Sequence, residues 1–237
     1  MLGHNSPFIY GRYDYMQIPK PCDVFPLTTN QEVLVAPYSY SAHRRTRYNS
    51  PQRYVSVAAQ VVLTGISRDK VPMIARVSIT DYRGNILLDT FVRPTQPICD
   101  YRHAETGLQF TDLMHAPFFH HVQTSVAELV KGKIIVGHAI WNFLSVMGLN
   151  HPAIDTRDLA LFLPFRRTLR YHGVIALRVL VKHFMERDIG AGYEHPLEIA
   201  RASIDLFRSC ETLWEEIVHS GSWPCALPSP IHAECFS

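Results

Sequence analysis

The sequence predicts an α/β protein with a mixed central sheet flanked by helices, and three observations lead there. Apolar residues make up 47% of the 237 and charged residues 19%, a composition that can bury one sizeable core. Three runs rich in β-branched residues follow one another in hairpin order. After them, apolar patterns of helical and strand period alternate, which lays helices on the faces of a sheet.

The elements follow in order. YVSVAAQVVLTGI (54–66) reads as a buried strand. MIARVSITDY (73–82) alternates as a second strand, RGN (83–85) turns the chain, and ILLDTFVRP (86–94) returns as a third. A polar loop leads to a helix near PFFHHVQTSVAELVKG (117–132), stopped by Gly132. KIIVGH (133–138) is a short apolar strand and AIWNFLSVMGL (139–149) a helix. HPAIDTRDLALF (151–162) holds another short strand and a turn. VIALRVLVKHFMERD (174–188) spaces Leu177, Leu180, Val181 and Phe184 as one helical face. PLEIARASIDLFRSCETLWEEIV (196–218) is a long amphipathic helix, and the tail 219–237 reads as irregular.

The ends differ from this body. Residues 1–53 hold six Pro and eight Tyr or Phe and carry a net charge of +3. They read as an extended arm, either packed through its rings or free to dock on a partner or on RNA bases. The whole chain is +2, so the body at 54–218 is near neutral. That excludes a protein held to nucleic acid by bulk charge alone. No run of about 18 apolar residues is present, so no membrane contact is expected. The start lacks the pattern of a secretory signal. Cys22, Cys99, Cys210, Cys225 and Cys235 lack metal-ligand spacing and read as reduced thiols inside a cell.

Several strings carry a resemblance: ARVSI (75–79), DYR (100–102) with TGL (106–108), VGHAIWN (136–142), LPFRR (163–167) and ERDIGAGYEH (186–195). In unbroken order over 54–218 they resemble the DEDDh 3′–5′ exonucleases, in the RNA exonuclease 4-like branch. The resemblance implies a ribonuclease H-like exonuclease fold. It also implies two metal ions held by four acidic residues, with a His activating water. Two ions about 4 Å apart need carboxylates to hold them while they clamp the attacking and leaving oxygens.

The sequence departs from that pattern at the five catalytic positions. Where the family carries Asp-x-Glu, this chain has Ala58 and Gln60; where it carries the third acid, Phe143; where it carries His and the last Asp, Glu194 and Ile199. His195 stands one residue off register. No Asp or Glu lies between Glu32 and Asp69, or between Glu128 and Asp155, so no shift of register restores a carboxylate there. The expectation is therefore a degenerate former site at Ala58, Gln60, Phe143, Glu194 and Ile199, with no metal, no cofactor and no catalytic residue: a pseudo-exonuclease.

Other candidates are weighed singly. Arg166, Arg167 and Arg170 lie in a loop that could contact phosphates or merely be solvated. His138 and Asn142 hold a strand-to-helix turn or approach a substrate. Trp141 and Trp214 read as core, whereas Trp223 could anchor the tail or a partner. The adjacent His120 and His121 face different ways on a helix, against shared metal ligation.

The expected function is a protein-binding adaptor or scaffold subunit in an RNA- or chromatin-related complex, its protein partner held through the arm. Two alternatives stand beside it: a non-cleaving RNA- or DNA-binding protein, and a residual metal-dependent 3′–5′ exonuclease. The resemblance implies an intracellular place, nuclear or nucleolar rather than cytoplasmic.

Overall fold

The computed structural model describes residues 50–65 and 70–236. The arm expected over 1–53 therefore lies outside the described residues, apart from its end, where Pro51–Arg53 form a 3-10 turn.

Strand β1 (Tyr54–Thr64) organises the sheet. Its Val residues suit a pleated surface, and its alternation serves two cores at once. Tyr54 is buried with Phe207 and Trp214 on one face, while Val55 and Val57 are buried with Val122, Val126, Ile140 and Leu144 on the other. β1 pairs antiparallel with β2 (Val71–Asp81), which pairs antiparallel with β3 (Ile86–Phe91). The β2–β3 turn closes around Asp81, whose carboxylate accepts the N–H groups of Arg83 and Asn85, each at 2.8 Å. Gly84 takes φ +85 there, a conformation a side chain would strain.

On its other edge β1 meets two strands at opposite ends. β5 (Ile134–Gly137) runs parallel to Tyr54–Ser56, and β6 (Thr156–Asp158) runs parallel beyond β5. β4 (Ile98–Asp100) pairs antiparallel with Leu63 and Thr64. The sheet order is thus β3-β2-β1-β5-β6, with β4 attached to β1.

Helices cover both faces. α3 (Phe119–Val130) and α4 (Ile140–Met147) close one core. α7 (Pro196–His219), supported by α6 (Leu177–Met185), closes the other, where the Phe162 and Trp214 rings stack at 4.0 Å. Trp141 and Trp214 are both core residues, as their surroundings in sequence imply.

Three pieces were not legible beforehand. The stretch read as a polar loop after β3 contains β4, α1 (His103–Thr106) and α2 (Phe110–Met114). The stretch 163–168 forms α5 (Leu163–Thr168). The tail read as irregular is ordered by contacts beyond its own segment: Cys225 bridges Phe162, and a 3-10 helix (Pro230–Cys235) packs on α4 through Cys235 and Phe236. Trp223 packs against the α7-side core.

Two buried polar groups fix β6. Arg157 forms a two-pronged ion pair with Glu215 of α7, at 2.7 and 3.0 Å, both side chains all but closed to water. The same guanidinium donates to the carbonyls of Ile154 and Thr156. Next to it, the Asp158 carboxylate accepts from Ala139 N and Ala160 N at 3.0 Å and from Ile140 N at 2.6 Å. It thereby caps α4, whose preceding residue Ala139 is left-handed at φ +56. Burial pushes the Asp158 carboxyl up to about 7, against the pull of those three N–H donors and of Arg166.

Two predictions follow from β6. Glu215→Ala strands a buried guanidinium and should lower unfolding free energy by about 3–5 kcal/mol in urea titration; a loss below about 1 kcal/mol would place this pair among exposed ones. Asp158 holds its proton in the fold above its ordinary value of 3.8. The native state therefore binds more protons than the unfolded chain between about pH 4 and 7, and stability from this group falls as pH rises, by up to about 4 kcal/mol. Comparing urea midpoints at about pH 5 and about pH 7.5, Asp158→Asn should remove that fall; an identical slope in both proteins would refute the assignment.

Candidate functional site

β5 leaves β1 after Ser56 and β4 joins it only at Leu63, so 57–62 have no strand partner on that edge among the described residues. Ala58 and Gln60, the first two positions expected to depart from the family pattern, fall in this gap. Ala58 and Gln60 continue the face of Tyr54 and Ser56, the latter bonded to Ala200 O of α7 at 2.8 Å. Both are buried. Ile199, in the first turn of α7, packs on the same core. Glu194 is exposed just before that helix. Phe143 is different: it is buried in the α3–α4 core with Val55 and Val57. Ala58, Gln60, Glu194 and Ile199 are thus brought to one side of β1, and Phe143 is turned to the other.

Gln60 has a specific job. Its Nε2 donates to Thr106 O at 2.9 Å and to Glu194 O at 2.7 Å. Its Oε1 is buried with no partner. Beside it, Glu194 N donates to Glu105 O at 2.9 Å. His195 also has a structural role. Its Nδ1 accepts from Leu197 N at 3.2 Å and caps α7, which fixes the neutral tautomer with the proton on Nε2. Burial, then the Arg76 guanidinium, holds its pKa below the ordinary value, while Asp89 and Glu198 pull the other way.

The remaining candidates separate. Arg166 donates to Ala160 O through Nε and Nη2, at 3.3 and 2.9 Å, so it braces the turn that Asp158 also holds. Arg167 and Arg170 are exposed, with Arg170 left-handed at φ +49. His138 is half-buried and donates to Ile175 O at 2.7 Å; desolvation lowers its pKa. It ties β5 to the segment before α6.

The family's pair of metal ions can be tested against these residues. Ala58 and Ile199 have no ligand atoms, Gln60 spends its amide on two carbonyls, and Phe143 lies in the opposite core. Among the described residues, no group of three or more His, Cys, Asp or Glu could hold a metal ion. The residues present do not fit the two-ion cluster.

Two residues escaped the sequence reading. Asp158 ends a short strand and precedes a turn, but its three N–H partners lie up to nineteen residues away. Gln60 was marked only as a replacement; nothing local announces carbonyls 46 and 134 residues distant.

No family model matches the chain. Individual proteins do. RNA exonuclease 4 of Mycosarcoma maydis is 38% identical over 172 residues, 72% of this chain and 45% of that protein. RNA exonuclease 4 of Candida albicans is 37% identical over 164 residues, 69% of this chain and 56% of that protein. The human apoptosis-enhancing nuclease is 31% identical over 179 residues, 74% of this chain and 55% of that protein. The chain spans about half the length of these relatives. Among solved structures, the Saccharomyces cerevisiae Pan2 pseudoubiquitin hydrolase-RNA exonuclease module in complex with AAGGAA RNA gives a TM-score of 0.58 at 23% identity, covering 73% of this chain and 32% of that one. The Neurospora crassa Pan2 catalytic unit gives 0.57 at 18%, covering 76% and 30%. These two likenesses concern the fold.

The comparisons correct one expectation. The pseudo-exonuclease expected from Ala58, Gln60, Phe143, Glu194 and Ile199 is overturned. Its relatives over the same stretch are named as exonucleases and as a nuclease, so those five positions do not remove it from that class. Sequence likeness, the mixed six-stranded sheet and the structural neighbours agree, and over its matched residues the chain belongs to the DEDDh exonuclease superfamily.

Proposed function

We propose that this chain acts on RNA, binding strand ends in the gap beside β1 and trimming them with residual, metal-dependent 3′–5′ exonuclease activity. The observation that carries the reading is its 38% identity to an RNA exonuclease 4 across 172 residues. The exposed Arg167 and Arg170 support it by offering two cations to a phosphate backbone. The residues at the five positions do not fit the two-ion cluster, so the activity proposed is slow and is assigned to none of them.

The neutral floor has its own consequence. Carboxylates crowded in a cleft repel a phosphate until metal neutralises them. Ala58, Gln60 and Ile199 put no charge there, so binding of RNA is independent of divalent ions even where trimming is not.

A protein-binding role for the same domain is a second reading, favoured by the near-neutral charge of 54–218. It predicts a stoichiometric protein partner that survives nuclease treatment of an affinity-purified sample.

Two experiments test the RNA reading. With end-labelled RNA and Mg²⁺ or Mn²⁺, the expected result is a slow ladder of products shortened from the 3′ end and abolished by chelator; no shortening at stoichiometric protein would overturn the trimming. In binding titrations, chelator should leave Kd unchanged, and the Arg167→Ala, Arg170→Ala pair should flatten the dependence of log Kd on log salt by about 1 to 2. Binding that is absent at low salt would defeat the reading outright.

A further inference from the structure

The gap beside β1 is bounded by two walls from distant parts of the chain. One is residues 101–108, made of the link after β4, α1 and the start of the turn to α2. The other is residues 186–195, the connection between α6 and α7. We propose that Gln60 is a latch that holds these walls together, and that an RNA end enters by parting them; the second half rests on the RNA reading above.

Four observations carry the proposal. A single carboxamide reaches both walls, donating one proton to Thr106 O and the other to Glu194 O. The walls also touch directly, Glu194 N donating to Glu105 O. The Tyr193 ring lies flat enough on Gly107 that a Cβ at residue 107 would stand 2.7 Å from it. Finally, the latch is imperfect: Oε1 of Gln60 is buried, and no donor meets it.

The two walls differ in how firmly they are held. Residues 101–108 are braced from within, Thr106 Oγ1 donating to Tyr101 O at 2.8 Å and accepting from Leu108 N at 3.1 Å. In 186–195 only Ile189 is buried, and residues 186–188 and 191–194 are exposed. This second wall also has left-handed residues on which it can swing, Glu186 at φ +54, Gly190 at φ +72 and Gly192 at φ +93. Its first half is tied away from the gap, Gly190 N donating to Glu198 Oε2 and Arg187 to Asp205, each at 3.0 Å, so what moves is the exposed stretch 191–194, whose position depends on its few ties across the gap. The unpartnered Oε1 lowers the cost of opening, since opening hydrates it.

Gln60 is therefore a positioning residue, set between walls rather than between metal ions. A conventional role in fold stability would show as a general loss of protection; a latch shows locally. In hydrogen-exchange mass spectrometry, Gln60→Ala and Gln60→Glu should speed exchange at least tenfold in peptides covering 104–108 and 190–196, leaving β1, β5 and α7 unchanged. The Glu variant has no proton to give and sets a carboxylate against two carbonyl oxygens, so it should open the walls at least as far. RNA association should quicken several-fold in both. Unchanged exchange in the walls overturns the latch, as does exchange that rises through the whole domain. If neither variant folds, Tyr193→Ser decides the matter from the surface, because Tyr193 is 58% exposed; it should speed exchange in 190–196, and no change there counts against the latch. Should the walls open as expected while no variant binds RNA, the RNA reading falls and the latch stands.

Discussion

Everything else in this structure is arranged around a strand that must satisfy two cores. β1 is buried along most of its length, and its alternate residues answer to different helices. A strand in that position has little room for charge. An ionised side chain there needs a partner, a metal or water, or its burial disfavours the fold. Ala58 and Gln60 meet the constraint without any of the three: one has nothing to solvate, and the other gives both its protons to backbone carbonyls. The same strand sets the sheet. One edge is filled by β2, and the other is shared by the parallel β5 and the antiparallel β4 with a gap between them. The candidate site is that gap, so the geometry of the site is a property of the sheet before it is a property of any one side chain.

Three buried charges, Arg157, Asp158 and Glu215, lie on or against β6, one strand away from the gap, and each is met by a partner. Arg157 meets Glu215 across the sheet-to-α7 boundary, and Asp158 gathers the amides of α4 and the turn to α5. Arg166 adds a brace on the same turn. These contacts join β6 to both helical layers, which apolar packing alone would leave free to slide. In such a network specificity of arrangement, more than net stability, is what buried polar groups contribute. It also explains why an arginine loop that looks suited to phosphate divides its labour: Arg166 is committed to the fold, and Arg167 and Arg170 face solvent.

How much of this was legible in the sequence depended on the reach of each interaction. The long strands and α7 were read from period alone, because apolar periodicity is a local signal; α7 begins at Pro196 as its proline indicates. β4, α1 and α2 were missed because three to five residues hold too few periods to show one. The tail looked irregular because what orders it is remote: Phe162 pairs with Cys225, and α4 receives Cys235 and Phe236. In the site, the positions that depart from the family pattern could be named from their strings. The inference from them to an inactive protein failed, since a list of replacements does not define what a family member does. Where the replacements went was not legible at all. Phe143 joined the core opposite Ala58, and His195, read as a base out of register, became the cap of α7.

The site is best understood as one whose polar work has moved from side-chain charge to backbone hydrogen bonds. A carboxylate cluster holds its cleft open, because like charges repel and only cations relieve them. A carboxamide does the reverse. It has two protons to donate, and in this fold two carbonyls from opposite walls are within reach. An amide at residue 60 therefore bears on the mechanics of the site as well as its charge: it is neutral, and it bonds both walls. The tie remains weak, because each hydrogen bond made in the fold replaces one made to water and contributes only about 1 kcal/mol net. The exposed stretch 191–194 of that wall meets the other wall through few such bonds and is held weakly enough to move. Such a cleft favours the closed form at rest and yields to a ligand that offers comparable contacts. The neutral floor, the divided arginines and the single amide across the gap are in that sense one adaptation of the fold.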